Sequence, residues 1–526
     1  MNYADLFRAT LPETALEVAA LVVLVVDLGF LRKAALKVRV TVAALLGVVG
    51  CGAALWTLQF QGNMRLAFGD TGEFNLLATG GFVYVAQTGI LVLTALTLLL
   101  LIDSVFTRHV GEYVAVALMA AAGGLLVAAA RDLLVIFVGL ELLSLGLYIL
   151  TAFAKSSGKS AEAALKYYLF GGMSAAFLLF GFSYFYGLSG STNLLEIQRA
   201  VAASGSSPLF YVAWILVVAG LGFKVAAVPF HLWAPDTYEG APAPAAAFIA
   251  SVSKVASFAL LITISLNWLI PSGPLEGAKT AVEESLRQYY QTWSKLGVIL
   301  LVVAAASMVV GNLAALAQMS VRRLLAYSAI AHAGYILLGI AVHPAYSGQG
   351  SAIDFLGSTI NPAIRNADAV LFYVLTYGLT TIGAFGVVAV VERATGSDRM
   401  DAFLGLHKRN PVLAAVLLVL FLSLAGIPPL VGFWAKFNLF AAVLGASAGA
   451  VPFALVALAV ALSAVSLYYY LQVLKRAYVM PGVDETAINA HPVTLAVLVG
   501  IAAAVVVLGC FPALLQGWIE SCYPAL

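Results

Sequence analysis

The stretch GLGFKVAAVPFHLWAPD, Gly220–Asp236, decides the fold. It closes an apolar run, carries Lys224, and then meets Pro229 and Pro235. Pro229 removes a backbone donor in mid-run, so a helix entering here has to stop. A second stretch, LAGIPPLVGFWAK, Leu424–Lys436, has the same design: Gly426, Pro428, Pro429 and Gly432 interrupt an apolar run, and Lys436 follows the break. Freed backbone groups and a lysine inside an apolar run are tolerated where they line a pathway through a membrane. Breaks at corresponding places in two halves are the sequence mark of an ion pathway in a transporter fold.

Composition points the same way. Of 526 residues, 62% are apolar and 10% charged, against about half and about a quarter in soluble domains. A single soluble enzyme, a disordered chain and a fibrous one are excluded. Apolar runs bounded by charge or turn clusters give fourteen segments: 12–31, 39–58, 80–102, 111–130, 132–152, 162–187, 208–232, 243–268, 294–316, 322–342, 366–391, 411–443, 450–475 and 492–515. At about 20 apolar residues per span, fourteen spans need about 280, which the composition supplies. The expected class is all-α, a polytopic membrane protein of about fourteen transmembrane helices. The first run carries its basic residues behind it (Arg32, Lys33, Lys37, Arg39) and has no A-x-A site, so it reads as a retained span.

The interrupted segments are the seventh and twelfth, five apart. An odd offset turns the second copy upside down, so segments 4–8 and 9–13 are expected to be inverted five-helix repeats. The division is then an N-terminal three-helix part (1–110), the first repeat (111–268), the second (294–475) and a last helix (476–526). LGLYIL around Tyr148 and AGYILL around Tyr335 are the clearest matching pair. Connections after odd segments hold fifteen Lys and Arg, and the other side, termini included, holds eight. By the positive-inside rule the odd connections are cytoplasmic and both termini periplasmic.

Four lysines fall inside the segments: Lys166, Lys224, Lys254 and Lys436. Glu141, in FVGLELLSLG, sits near the midpoint of its segment. Intramembrane ionisable groups are costly and usually functional. Burial favours the neutral form of a lysine, and a nearby carboxylate favours the charged form. A Glu–Lys pair with further lysines can therefore hand on protons when its separation changes. The plainer alternatives are a structural Glu–Lys pair and a lysine reaching for the interface; the latter fits Lys166, near its segment's start, as well as a relay does. His332, in LLAYSAIAHAGYILLG, can bridge lysines as a neutral relay member or simply pack its helix.

Other chemistry finds little support. Cys51, Cys510 and Cys522 are scattered without a C-x-x-C, while a cluster wants four thiolates. His231 and His332 lie at unlike depths, which argues against haem. Gly158-Lys159-Ser160 lacks the earlier glycine of a phosphate loop, since Phe153 stands there. No metal site and no basic block for nucleic acid is present.

Five stretches carry a family resemblance: GLELLSLGLYIL, ALKYYLFGGMSAAFLLFG, GFKVAAVPFHLWAPDTYEGAPAPAAAFIASVSKVA, RRLLAYSAIAHAGYILLG and AGIPPLVGFWAKF. Over nearly its whole length the chain resembles the antiporter-like membrane subunits of bacterial NADH:quinone oxidoreductase, respiratory complex I. The AYSAIAHAGY run and Lys436, where some paralogues carry Glu, favour the N-type member. The resemblance implies fourteen helices with inverted repeats. It also implies a proton relay of Glu141 and Lys224 as a coupled pair, Lys254 at the centre, Lys436 near the exit, and Lys166 and His332 as further members. It implies no cofactor in this chain. NADH, FMN, iron–sulfur clusters and quinone belong to partner subunits, and the neighbours are an M-type antiporter-like subunit and a small K-type subunit in the inner membrane. A subunit of a Na⁺/H⁺ antiporter or of a membrane-bound hydrogenase, on the same fold, is the alternative. The charged loop expected at 271–294 has no role in this reading.

Overall fold

The computed structural model describes residues 7–61, 76–104, 106–204, 207–267, 279–342, 362–446, 449–482 and 486–522. The architecture is helical throughout these residues. The N-terminal part holds α1 (Leu11–Val25), α2 (Leu36–Gln61) and α3 (Gly81–Leu101). Next come α4 (Val110–Ala129), α5 (Leu133–Thr151), α6 (Gly158–Ser189), the short α7 (Leu194–Ser204), α8 (Pro208–Lys224), α9 (Trp233–Gly240) and α10 (Ala243–Asn267). The second half holds α11 (Lys279–Leu316), α12 (Val321–Ala341), α13 (Pro362–Thr395), α14 (Pro411–Ala425), α15 (Val431–Ala446) and α16 (Ala450–Tyr478). α17 (Pro492–Cys510) and the short α18 (Ala513–Ser521) complete the chain.

Among the described residues, eleven helices are long and apolar enough to cross a membrane. The protein is thus an all-α, polytopic membrane protein. The expected segments outside these eleven are the first and the two that prolines interrupt. α1 is 15 residues long and continues as a π-helical turn, Val26–Phe30. Around Pro229 the helix ends at Lys224 and resumes at Trp233; around Pro428 it ends at Ala425 and resumes at Val431. The run 411–443, expected as one interrupted segment, holds two helices with the gap between Ala425 and Val431. α11 starts at Lys279, ahead of the expected 294, and overlaps much of the expected loop 271–294. Glu, Lys, Gln and Arg end an apolar run without ending a helix, because they are good helix formers. The first part of that loop, 271–278, lies outside the described residues.

Local chemistry explains the starts. The Asp132 carboxylate accepts from Leu134 N at 2.8 Å and caps α5. Ser157, Ser320 and Asn410 cap α6, α12 and α14 in the same way, each satisfying a first-turn donor left over by helix geometry. Pro411 sits in the first turn of α14, where its missing N–H costs nothing.

The halves repeat one packing device. α5 lies against α4 with so little space that a Cβ on Gly123 would stand 2.6 Å from Leu143 N. α12 lies against α11 the same way: a Cβ on Gly311 would stand 2.5 Å from Ala331 N. Small residues let membrane helices approach to backbone contact. Between the halves, α10 packs against α13. These helices and α12 form the centre: the apolar windows of α10, α12 and α13 are 100%, 94% and 89% buried, against 22% for α16.

Connections sort into two sets. Residues 77, 130, 132 and 193, which follow even segments, meet in short bridges. Those after odd segments meet each other: Arg393 pairs with Asp103, Lys159 with Glu239, Arg323 with Asp236, and Ser320 bridges Arg399.

Candidate functional site

The two interruptions place lysines against free carbonyls. α8 stops because Pro229 cannot donate, and the chain turns through Ala226, whose φ of 58° is unusual for a residue with a side chain. Val228 N is satisfied by Ser307 Oγ of α11 at 2.9 Å, and Trp233 Nε1 by Phe223 O at 3.0 Å. Carbonyls in the gap stay available, and Lys254 of α10 takes Val225 O at 3.2 Å. At the second break Gly426 ends α14 with φ 89°, and Lys436 of α15 donates to Leu424 O at 3.1 Å and Ala425 O at 3.0 Å. Gly432 N is satisfied by Ser423 Oγ at 3.1 Å.

Glu141 and Lys224 face each other, with Oε1 3.6 Å from Nζ. This is an ion pair but too long for a direct hydrogen bond. Lys224 instead donates to Ser144 Oγ at 2.5 Å, three residues along the same face of α5 as Glu141. Lys254 also donates to Ala329 O of α12 at 2.8 Å, and its Nζ stands 5.9 Å from the Tyr377 ring centre. The Tyr377 ring lies 4.8 Å from that of His332, whose Nδ1 is 2.8 Å from the Tyr373 hydroxyl. The Tyr335 ring is 5.7 Å from His332 on one side and 5.5 Å from Lys436 Nζ on the other. Lys436 ends the row on Ser463 Oγ at 2.7 Å. A cavity of about 10 Å³, bounded by His332, Tyr373, Tyr377, Ser423 and Gly432, lies beside it. That is space for about one water molecule.

Glu141, Lys224, Lys254, His332 and Lys436 thus follow one another across the two halves, with Ser144, the Val225 carbonyl and the Tyr377 and Tyr335 rings between them. The lysines and His332 are buried. Such a row can pass a proton between neighbouring side chains as they change contacts. Lys166 is not brought into it. That side chain is 40% exposed and pairs with Glu162 and Asp236, each at 2.7 Å. It stands eight residues into α6, near enough to the helix end for its ammonium to reach polar partners. His231 lies, half-buried, between α8 and α9. Among the described residues no group of three or more His, Cys, Asp or Glu side chains is placed to hold a metal ion.

Several members had no charge to mark them. Ser144 was discoverable, three residues from Glu141. Tyr373 and Tyr377 are a turn apart in FYVLTYGLTT, yet nothing in the sequence says which face they share with His332. Ser463 carries no signal. Asp27 was overlooked: it is buried in the π-helical turn, takes both Nε and Nη2 of Arg39 at 2.7 and 2.6 Å, and accepts from Gly111 N at 3.1 Å.

Fold and site together define an integral membrane protein organised around an internal row of proton-bearing side chains. The model of the family "NADH:quinone oxidoreductase/Mrp antiporter, TM" matches residues 130–273 and 285–463. The chain is 45% identical to NADH-quinone oxidoreductase subunit N 2 of Acidobacterium capsulatum, over 99% of each chain. It superposes with a TM-score of 0.72, at 33% identity, on a chain of respiratory complex I from Thermus thermophilus, covering 96% of this chain and 98% of that one. It also shares its fold with a chain of an archaeal membrane-bound sulfane sulfur reductase, with a TM-score of 0.79 at 22% identity, covering 97% and 96%. The chain belongs to the subunit N family of NADH-quinone oxidoreductase.

Proposed function

We propose that this chain is a proton-translocating membrane-arm subunit of NADH:quinone oxidoreductase, coupling quinone reduction in partner subunits to proton transfer along Glu141, Lys224, Lys254, His332 and Lys436. The observation that supports this reading is the succession of buried ionisable side chains, with Lys254 and Lys436 seated on carbonyls that the helix interruptions set free. Protons move when contacts change. Drawing Glu141 away from Lys224 favours the neutral lysine, and a proton leaves toward Lys254. His332, between Lys254 and Lys436, can take a proton on one ring nitrogen and release one from the other. Lys166 then acts at the edge, holding Asp236 rather than carrying the proton in the row.

This reading includes fourteen spans, two inverted five-helix repeats at 111–268 and 294–475, an N-terminal part at 1–110 and a last helix at 476–526. Both interrupted helices face the row. The repeated glycine contacts of α4 with α5 and α11 with α12 support the repeat, and the two sets of connections support alternating spans. The basic excess puts the odd connections in the cytoplasm and both termini in the periplasm. The partners are M-type and small K-type membrane subunits, with NADH, FMN, iron–sulfur clusters and quinone held elsewhere in the complex. Lys224→Ala tests the function. In fully assembled complex it lowers quinone-coupled proton pumping; wild-type pumping in that variant removes the relay role.

A further inference from the structure

α17 runs along the outside of the second half. Only 33% of its apolar window is buried, yet it packs against α13, α14 and α15. Its start is tied to the connections. His491 N donates to Asp103 Oδ2 at 3.2 Å, and Arg393, which pairs with Asp103, donates to Asn489 O at 2.6 Å. Its last turn reaches the second interruption. A Cβ on Gly509 would strike Pro429 O and stand 2.7 Å from Leu430 Cα. Small residues let membrane helices approach closely, but here the surface approached is the non-helical backbone between α14 and α15. A hydrogen bond fixes the same place: Trp434 Nε1 donates to Gly509 O at 2.8 Å.

Trp434 and Lys436 are two apart on α15, about 200° around the helix, so they point to opposite sides. Lys436 reaches back to Leu424 O and Ala425 O, while Trp434 reaches out to α17. The lysine belongs to α15 and its carbonyl partners to α14. Those bonds hold only while the backbone between the two helices keeps its shape, and α17 is pressed against that backbone. The first interruption is secured in another way. Trp233 Nε1 bonds to Phe223 O across its own gap, and Ser307 Oγ accepts from Val228 N. An indole N–H thus secures each gap; at the second it bonds to a helix that lies beyond 294–475.

We propose that the last turn of α17 sets the shape of the second interruption, with Gly509 and Trp434 as the positioning residues that keep the Leu424 and Ala425 carbonyls on Lys436. Neither residue handles the proton; both act through the lysine. This rests on the relay reading above and adds a helix outside the row that governs one of its members.

The test uses assembled complex in sealed vesicles. Trp434→Phe keeps an aromatic ring and removes the N–H; Gly509→Ala adds one methyl group where Pro429 O stands. Each is expected to slow coupled turnover several-fold. Each is also expected to displace the pH profile of turnover, because carbonyls that favour the charged lysine are drawn away. Gly500→Ala, on the same helix with nothing within 4 Å of its Cβ, is expected to match wild type. In a Lys436→Glu background, where no ammonium is left to hold the carbonyls, Trp434→Phe is expected to add no further loss. Trp434→Phe decides the matter where Gly509→Ala fails to assemble. Wild-type turnover and profile in Trp434→Phe, slowing with an undisplaced profile, equal slowing by Gly500→Ala, or a loss that multiplies with that of Lys436→Glu each overturns the positioning role. If that role fails while Lys224→Ala still lowers pumping, α17 is mere packing and the relay stands; if Lys224→Ala pumps normally, both readings fall.

Discussion

Lys254 donates a hydrogen bond to the carbonyl oxygen of Val225, 3.2 Å away, in the gap where the helix bearing Lys224 stops. The central lysine is thereby tied to the backbone of the first interruption, next to the residue that would hand it a proton. A second bond, to Ala329 O, ties it to the helix of His332. Any shift of the gap must change what Lys254 touches.

Lys254→Met should therefore abolish most proton pumping while leaving the amount of assembled complex little changed. Methionine fills the same volume, and the two carbonyls lose one partner each rather than gaining a clash. Pumping per assembled complex is the measurement; a ratio equal to wild type would remove Lys254 from the row.

Lys436 sits among oxygen acceptors: two carbonyls and Ser463 Oγ. A relay member here has to take up and release a proton. Lys436→Gln, whose amide can still donate to the carbonyls but cannot titrate, should lower pumping more than Lys436→Glu, which can carry a proton. Equal pumping by the two variants would show that a titratable group is not what the site requires.

How much of this was legible in the sequence follows from what each residue type signals. Charge in an apolar run is loud, and Glu141, Lys224, Lys254, His332 and Lys436 all stood out. Pro229 and Pro428–Pro429 marked the interruptions because a missing donor is a chemical fact about proline. Lys166 was equally loud and lies outside the row: charge says that a group is expensive, not which helix faces it. Tyr373, Tyr377 and Ser463 were silent because tyrosine and serine are common in apolar helices, and only packing turns them inward. Asp27 was missed because it lies near its segment's end, where a carboxylate looks solvated; the Arg39 fork that covers it comes from the next helix.

Asp27 should matter for assembly rather than for transport. Its carboxylate joins the π-helical turn to Arg39 on α2 and Gly111 on α4. Asp27→Ala removes the acceptor shared by the Arg39 fork and Gly111 N, and so loosens the join between the three elements. The expected result is less subunit in the membrane with normal pumping per assembled complex. Quantitative immunoblotting beside pumping assays separates the two, and normal abundance would contradict it.

Sidedness is open to direct labelling. Lys159 and Arg199 are both exposed and belong to opposite sets of connections. In a background with Cys510→Ser and Cys522→Ser, Lys159→Cys should react with a membrane-impermeant thiol reagent only from the cytoplasm, and Arg199→Cys only from the periplasm. Reversed labelling would refute the orientation drawn from the basic residues.

The most direct test of the relay is a double-mutant cycle on Glu141 and Lys224, whose charged atoms stand 3.6 Å apart. The readout is the pumping rate of Glu141→Gln, Lys224→Met and the double variant in matched, fully assembled complexes. Groups that act as one unit show non-additive losses. Each single variant should impair pumping, and the double variant should be little worse than either. If the two losses multiply, Glu141 and Lys224 work independently and the paired relay is wrong.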